Sequence, residues 1–175
     1  MTARPRRLGD LPALETPRLR LVRLRAEDAP ALAALTDDPL ITEAIDFLER
    51  PFTREDAAAL IRGRGDGRDG FFGVWRQDRL IGVVGAHLNA KFAIEIGYWI
   101  GTASQGQGYA TEAAGAVIAI LQREFPQRRI IAECRRENRA SWRVLEKLGF
   151  HPTGAAGSRP GRERLALPPS VSRPA

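Results

Sequence analysis

One cysteine, Cys134, stands in the whole chain, so no internal disulfide can brace the fold. A reducing cytoplasm is the simplest setting for such a sequence. Cysteine's usual burial makes Cys134 a strand residue of the core rather than a reactive thiol. Histidine is as scarce: His87 and His151 stand alone, without metal-ligand spacing, and read as structural or surface residues, with no metal expected. No apolar run reaches the ~18 to 20 residues of a membrane span. The arginines near the start have no hydrophobic stretch behind them, which argues against a secretory signal. What is present suits one globular domain: 175 residues, 43% hydrophobic, are enough for a sizeable core.

The pattern along the chain alternates strands and helices. Residues 1–15 are rich in Arg and Pro and read as loose. Leu19 to Leu24 alternates apolar residues with Arg, as a strand does. Glu27 to Leu35 reads as a helix closed by Asp37-Asp38-Pro39. Thr53, with Asp56 in the capping-box position, opens a helix over Arg54 to Arg62. Gly63 to Gly70 reads as a flexible loop, and its Arg-Gly-Asp triplet as coincidence. Phe71 to Trp75 and Leu80 to Leu88 form a hairpin, and Asn89-Ala90-Lys91 turns the chain into an Ile94 to Ile100 strand. An Ala-rich helix follows over Thr111 to Leu121, then a strand from Arg129 to Cys134 and a helix from Ser141 to Leu148. Arg164 to Leu167 is a candidate last strand, and the Pro-rich 168–175 a disordered tail. No internal repeat is visible. A mixed sheet with helices on both faces is expected, with the domain over residues 16–167.

The most informative run is Gln105-Gly106-Gln107-Gly108-Tyr109-Ala110, between a strand and a helix. A glycine-containing turn opening a helix directs free backbone N–H groups outward at the positive end of the helix dipole. That arrangement suits a pyrophosphate. It is not a Walker loop, lacking Lys-Ser/Thr after the last glycine, nor a dinucleotide fingerprint, lacking a third glycine. The run resembles the acyl-CoA pyrophosphate loop of the GNAT superfamily, Gln/Arg-x-x-Gly-x-Gly/Ala, with Gln105, Gly108 and Ala110 at its fixed positions. Asn138 to Phe150 resembles the asparagine-to-Gly-Phe segment of the same superfamily, in the Asn-x-x-Ser form of the branch that holds ribosomal-protein N-terminal acetyltransferases. Thr16-Pro17-Arg18-Leu19-Arg20-Leu21 and Glu95-Ile96-Gly97-Tyr98-Trp99 are also usual there.

The resemblance implies an α/β GNAT fold whose central sheet splays between the strand ending near Ile100 and the one beginning near Arg129. The pantetheine arm of acetyl-CoA would lie in that gap. Trp99, Ile100, Gln105, Gly106, Gln107, Gly108, Tyr109, Ala110, Asn138 and Ser141 are the implied cofactor-binding positions. Glu95 occupies a position where several members carry a carboxylate base, and a charge among Ile94, Ile96 and Tyr98 is costly without a purpose or partner. The alternative is that it faces outward or pairs with an arginine. Many members place a tyrosine acid seven residues after the asparagine, but Leu145 stands there, so that role is not carried over. Ser141, three residues after Asn138, is the implied donor toward the leaving sulfur; as an alternative it simply starts a helix. Asn138 is equally compatible with a helix cap. Tyr98 and Trp99 read as wall and core.

The basic and acidic totals, 27 against 21, leave a net charge of +6, nearly all of the basic residues being arginine. Arg128, Arg129, Arg135, Arg136, Arg139 and Arg143 form the densest set. A solvated face, contact with the CoA phosphates and RNA contact all remain open, although no RNP-type aromatic run or zinc knuckle supports RNA. Asp37, Asp38, Glu43, Asp46 and Glu49 would attract a cationic amine or form a solvated acidic face. The expectation is an acetyl-CoA-dependent N-acetyltransferase acting on a primary amine, by resemblance a protein or peptide N-terminus. A small amine such as an aminoglycoside or polyamine, or a non-catalytic acyl-CoA-binding module, is the alternative. Neither DNA nor membrane is an expected partner, and the chain would be a monomer or homodimer.

Overall fold

The computed structural model describes residues 7–63, 65–89 and 92–168. Among these, eight strands form one sheet: β1 (Leu14–Glu15), β2 (Arg20–Arg23), β3 (Asp69–Arg76), β4 (Arg79–Leu88), β5 (Ala93–Ile100), β6 (Arg129–Cys134), β7 (His151–Ala156) and β8 (Glu163–Ala166). Their order is β1-β2-β3-β4-β5-β6-β8-β7, and every neighbouring pair is antiparallel except β5 and β6. The parallel pair requires a crossover, supplied by α4 (Tyr109–Glu124). Helices α1 (Ala29–Thr36), α2 (Pro39–Thr42) and α3 (Arg54–Arg62) lie between β2 and β3 in sequence, and α5 (Arg139–Lys147) follows β6.

Side-chain alternation on the strands divides the core in two. Ile94, Ile96 and Ile100 of β5 and Val84 of β4 join Ala113, Val117 and Leu121 of α4. Val83 of β4 and Trp99 of β5 point the other way, into a core with Leu32 of α1, Phe52 and Ala57. The Trp99 indole donates to Thr36 Oγ1 at 3.1 Å, which satisfies a polar atom that burial would otherwise strand. Helix α3 starts as its sequence specifies: Thr53 Oγ1 accepts from the Asp56 amide at 3.2 Å, and Asp56 Oδ2 accepts from the Thr53 amide at 2.8 Å.

One feature of the ladder positions the site. β5 pairs with β6 only from Ala93↔Arg129 to Ile96↔Ala132, whereas on its other side it stays paired with β4 to Gly82↔Ile100. Beyond Ile96 the two parallel strands diverge, leaving the edge of Gly97–Ile100 without a strand partner on that side. The expected splay is present.

Two expectations need correction, and one strand was not expected. Of the N-terminal segment read as loose, Leu8–Asp10 forms a 3-10 turn and Leu14–Glu15 a strand, anchored because Leu8 and Leu11 are buried. The loop expected from Gly63 to Gly70 ends early: Asp69 and Gly70 belong to β3. Strand β7 has no hydrophobic alternation and all six of its residues are exposed, so only its pairing with β8 defines it. Residues 1–6 and the tail from 169 to 175 lie outside the described residues.

Candidate active site

The first turn of α4 is open. Gly108 is its N-cap residue at φ +81°, Gly106 lies at φ +74°, and no side chain caps the helix amides. Both glycines need the left-handed region, which side chains rarely adopt. A cleft bordered by uncapped amides at a helix N-terminus is an anion site. The loop is tied at both ends. Gln105 Nε2 donates to the Ile100 carbonyl at 2.9 Å, and Arg18 Nη1 donates to the Gln107 carbonyl at 2.9 Å.

Arg18 also grips α4 itself. Its Nε donates to Glu112 Oε2 at 2.6 Å and its amide to Oε1 at 3.0 Å, while Thr16 Oγ1 donates to Oε1 at 2.6 Å. The guanidinium covers the buried Tyr109 ring at 4.6 Å. The Thr-Pro-Arg segment is thus a brace for the loop. Burial disfavours the charged form of Glu112, but the bonds from Thr16 and Arg18 outweigh it and hold the carboxyl below its ordinary value.

A cavity of about 760 Å³ runs from this loop through the splayed strands to the opposite face of the sheet. Trp99, Ile100, Gln105, Gly106, Gly108, Tyr109, Ala110, Asn138, Ser141 and Glu95 all line it. Gln107 does not, its carbonyl being turned to Arg18. Trp99 sends its indole into the α1 core, so what it offers the gap is backbone. Asn138 caps α5, with Oδ1 accepting from the Ser141 amide at 3.1 Å. That bond fixes Ser141, whose Oγ lies 3.0 Å from the Tyr98 hydroxyl; the same hydroxyl donates to the Ser141 carbonyl at 3.1 Å. Burial pushes the Tyr98 phenol far above its ordinary value, so it stays protonated. Cys134 is buried as expected, and burial raises its thiol despite a hydrogen bond with Ser141.

The other face of the gap is a charged network. Glu95 pairs with Arg159, from the β7–β8 connection, and Arg159 Nε also reaches Glu133 Oε2 at 3.3 Å. Glu133, with a side chain only 1% exposed, accepts from the Ser158 amide at 2.7 Å and hydroxyl at 3.1 Å. Burial works against its ionisation, yet these bonds and Arg159 keep its carboxyl below the ordinary range. Glu95 thus pairs with an arginine, a contact that its alternative reading included. Beside it, His87 of β4 lines the cavity, with Nδ1 at 2.9 Å from Asp69 Oδ1. His87 had no signal beyond its residue type.

The charged residues at the rim are mostly engaged. Asp46 is bound by Arg135 and by Arg162, whose Nε donates at 2.6 Å. Burial raises the cost of its charge, but Arg162 and Arg135 hold its carboxyl below the ordinary value. Asp38 caps α2 and bonds Thr102; Asp37 accepts from the Phe52 amide at 2.9 Å. Of the arginine set, Arg136 pairs with Glu163 at 2.8 Å and covers the Trp142 ring, and Arg128 covers Phe92. Arg135 and Arg143 line the cavity. No group of histidine, cysteine and acidic side chains that could hold a metal occurs among the described residues.

Residues 18–151 match the family described as "Acetyltransferase (GNAT) domain". The chain is 34% identical over 144 residues to an uncharacterized N-acetyltransferase, YnaD, of Bacillus subtilis, covering 81% of this chain and 84% of that one. It is 35% identical over 83 residues to the ribosomal-protein-serine acetyltransferase of Escherichia coli, 45% of each chain. In structure it is similar to RimL, a ribosomal L7/L12 alpha-N-protein acetyltransferase solved in complex with coenzyme A. The TM-score is 0.78 at 21% identity, over 89% of this chain and 97% of that one. The loop, the splay and the cavity fit the phosphates and arm of acetyl-CoA.

Proposed function

The chain belongs to the GNAT acetyltransferase family and is an acetyl-CoA-dependent N-acetyltransferase; from that premise we propose that its acceptor is the α-amine of a protein or peptide, attacked directly in a ternary complex. The observation that carries this reading is the cavity that passes through the sheet between β5 and β6. It opens toward the α4 loop on one face and toward Glu95 on the other, so that two substrates can approach from opposite sides. The apolar residues Leu40, Ile41, Ile45 and Phe47 line its outer lobe, which supports an acceptor larger than a bare amine. The local similarity to a ribosomal-protein-serine acetyltransferase points the same way.

In this reading the α4 amides and the glycines at 106 and 108 hold the pyrophosphate, and the free edge of Gly97–Ile100 pairs with the pantetheine. The acceptor arrives as an ammonium ion. Glu95 attracts it and seats it in the cavity, where it must lose one proton before it can attack. The free amine forms the C–N bond with the thioester carbonyl, and the C–S bond breaks. The second nitrogen proton passes through the Ser141 hydroxyl to the departing sulfur, giving the amide and CoA thiol. Tyr98 orients that hydroxyl.

The test is acetyl-CoA turnover with short peptides beginning in Ser or Ala, the same peptides with blocked amino termini, and spermidine and an aminoglycoside as small amines. Thiol release with free-amino-terminus peptides only is the expected result. Turnover of the small amines alone would replace the acceptor class. No turnover alongside tight acetyl-CoA binding would leave a binding module.

A further inference from the structure

We propose that His87 is the catalytic group that takes the acceptor's ammonium proton, with Asp69 as the residue that positions it. This rests on the N-acetyltransferase reading above and adds a residue to the same site. Glu95 is engaged by Arg159, whose second contact is Glu133, so its charge is already shared with a cation. His87 is the cross-strand neighbour of Glu95 in the β4–β5 ladder. Directly opposed residues of an antiparallel pair project from the same face, with Cβ atoms about 5 Å apart. The imidazole therefore lies beside the carboxylate, in the wall of the same cavity.

Its orientation is defined. Asp69, opposite His87 in the β3–β4 ladder, holds Nδ1 at 2.9 Å, and the ring packs edge-on to Phe71 at 5.0 Å between centroids. A carboxylate on Nδ1 fixes the tautomer that leaves Nε2 as an acceptor. The Asp69 side chain is only 11% exposed, while that of His87 is 29% exposed, so the pair is sheltered on the aspartate side and open on the imidazole side. Among the described residues Nε2 has no hydrogen-bond partner. The backbone keeps its surroundings clear: a Cβ on Gly85 would come within 2.8 Å of Nε2, and one on Gly97, the neighbour across the ladder, would meet nothing within 4 Å. The two glycines form a floor over which an amine can approach both Glu95 and Nε2.

The balance is simple. The ammonium, seated against Glu95, gives one proton to Nε2 and becomes the nucleophile; its second proton leaves with the sulfur through Ser141. His87 returns its proton to solvent, so each turnover releases one proton, one amide and one CoA thiol. The charged groups opposed to the imidazole in the ladders are Asp69 on β3 and Glu95 on β5, the latter paired with Arg159 of the β7–β8 connection. Arg68, next to Asp69 in the chain, has its guanidinium on the Leu88 carbonyl.

The test is His87→Gln in the full chain, with acetyl-CoA affinity measured by calorimetry and kcat/KM on free-amino-terminus peptides measured across pH. The expected result is unchanged acetyl-CoA affinity and a loss of about 10²-fold in kcat/KM at neutral pH. That loss should shrink as the pH rises and solution supplies amine already deprotonated. Asp69→Asn should give a smaller loss with the same pH shape. A kcat/KM within twofold of wild type at all pH values would overturn the assignment and leave the pair a brace between β3 and β4. A readout independent of acceptor is ¹⁵N NMR of the wild-type acetyl-CoA complex, the His87 signal being identified by its absence in His87→Gln. Nδ1 protonated and Nε2 bare at neutral pH is the expected state. An imidazolium, or the opposite tautomer, would overturn the proposal even if every acceptor tried proved inert, an outcome that would count against the acceptor class alone.

Discussion

Arg159 lies on the Glu95 carboxylate although 64 residues separate them in sequence, and it spans from there to the buried Glu133. The guanidinium is held by the β7–β8 connection, which Glu133 organises through Ser158. The charged surroundings of Glu95 in the cavity are therefore set by a loop distant in sequence. Arg162 in the same connection reaches across to Asp46 and to the Ala44 carbonyl, tying the loop to the segment after α2. The outer lobe is bounded by these two segments.

Arg159→Gln should lower kcat/KM for the amine about tenfold, because Glu95 loses the partner that fixes its rotamer. Acetyl-CoA affinity should stay within twofold. The pairing with Glu95 predicts that Glu95→Gln and Arg159→Gln are not additive: the double variant should fall short of the sum by about 1 kcal/mol or more. Additive losses in that cycle would mean that Arg159 acts on the acceptor independently.

The glycine at 108 allows a controlled comparison. Gly108→Ala forces a side chain to φ +81° and sets a Cβ 3.4 Å from Arg18 Nη2, at the rim of the anion site. Gly154→Ala meets a similar backbone at φ +77° with nothing within 4 Å, on β7. Each should cost stability on the order of 1 kcal/mol. Only Gly108→Ala should also weaken acetyl-CoA binding, by tenfold or more in a calorimetric titration. Equal effects on affinity would separate the loop from the pyrophosphate.

What the sequence made legible was local. The Thr53–Asp56 capping box, the strand over Ile94 to Ile100 and the glycine turn before α4 are each specified by residues within a few positions of one another. The residues that surround Glu95 are specified by pairing at a distance. Asp69 was hidden in a glycine-rich run that read as loop, and only the β3–β4 register brings it to His87. Arg159 was one arginine among many, and only its loop's seat on Glu133 selects it. β7 has no periodicity to read, because its exposed side chains include Pro, Gly and two alanines. The brace from Arg18 to Glu112 was visible as a family-like motif but not as a contact, since 94 residues intervene.

Ser141→Ala removes a hydroxyl that lies within 3.0 Å of the Tyr98 oxygen, while the Asn138 cap contacts only the Ser141 amide and survives. If Ser141 delivers the proton to sulfur, kcat should fall about 10²-fold with acetyl-CoA affinity little changed. Tyr98→Phe should cost less, since the hydroxyl then loses an orienting partner but remains. Substrates with a more acidic thiol leaving group should be less sensitive to Ser141→Ala. A kcat equal to wild type would reduce Ser141 to a helix residue.

The brace at α4 makes a prediction about pH and stability. The folded state holds Glu112 below its ordinary value, because the bonds from Thr16 and Arg18 outweigh the cost of burial. Such a carboxylate adds stability above the unfolded value, and that contribution is lost as the pH falls through the folded one. Arg18→Met removes much of it, together with the bond to the Gln107 carbonyl and the cation over Tyr109. Arg18 is about half exposed, so the cost at neutral pH should be modest, about 1–2 kcal/mol. Urea unfolding of both proteins over a pH series should show the gap widest near neutrality and narrowing below the ordinary carboxyl value of 4.5. It should not close fully, because the Gln107 and Tyr109 contacts do not titrate there. A gap that stayed constant down to strongly acid pH would assign the effect of Arg18 to those two contacts alone. The Glu112 pairing would then be dispensable to the loop.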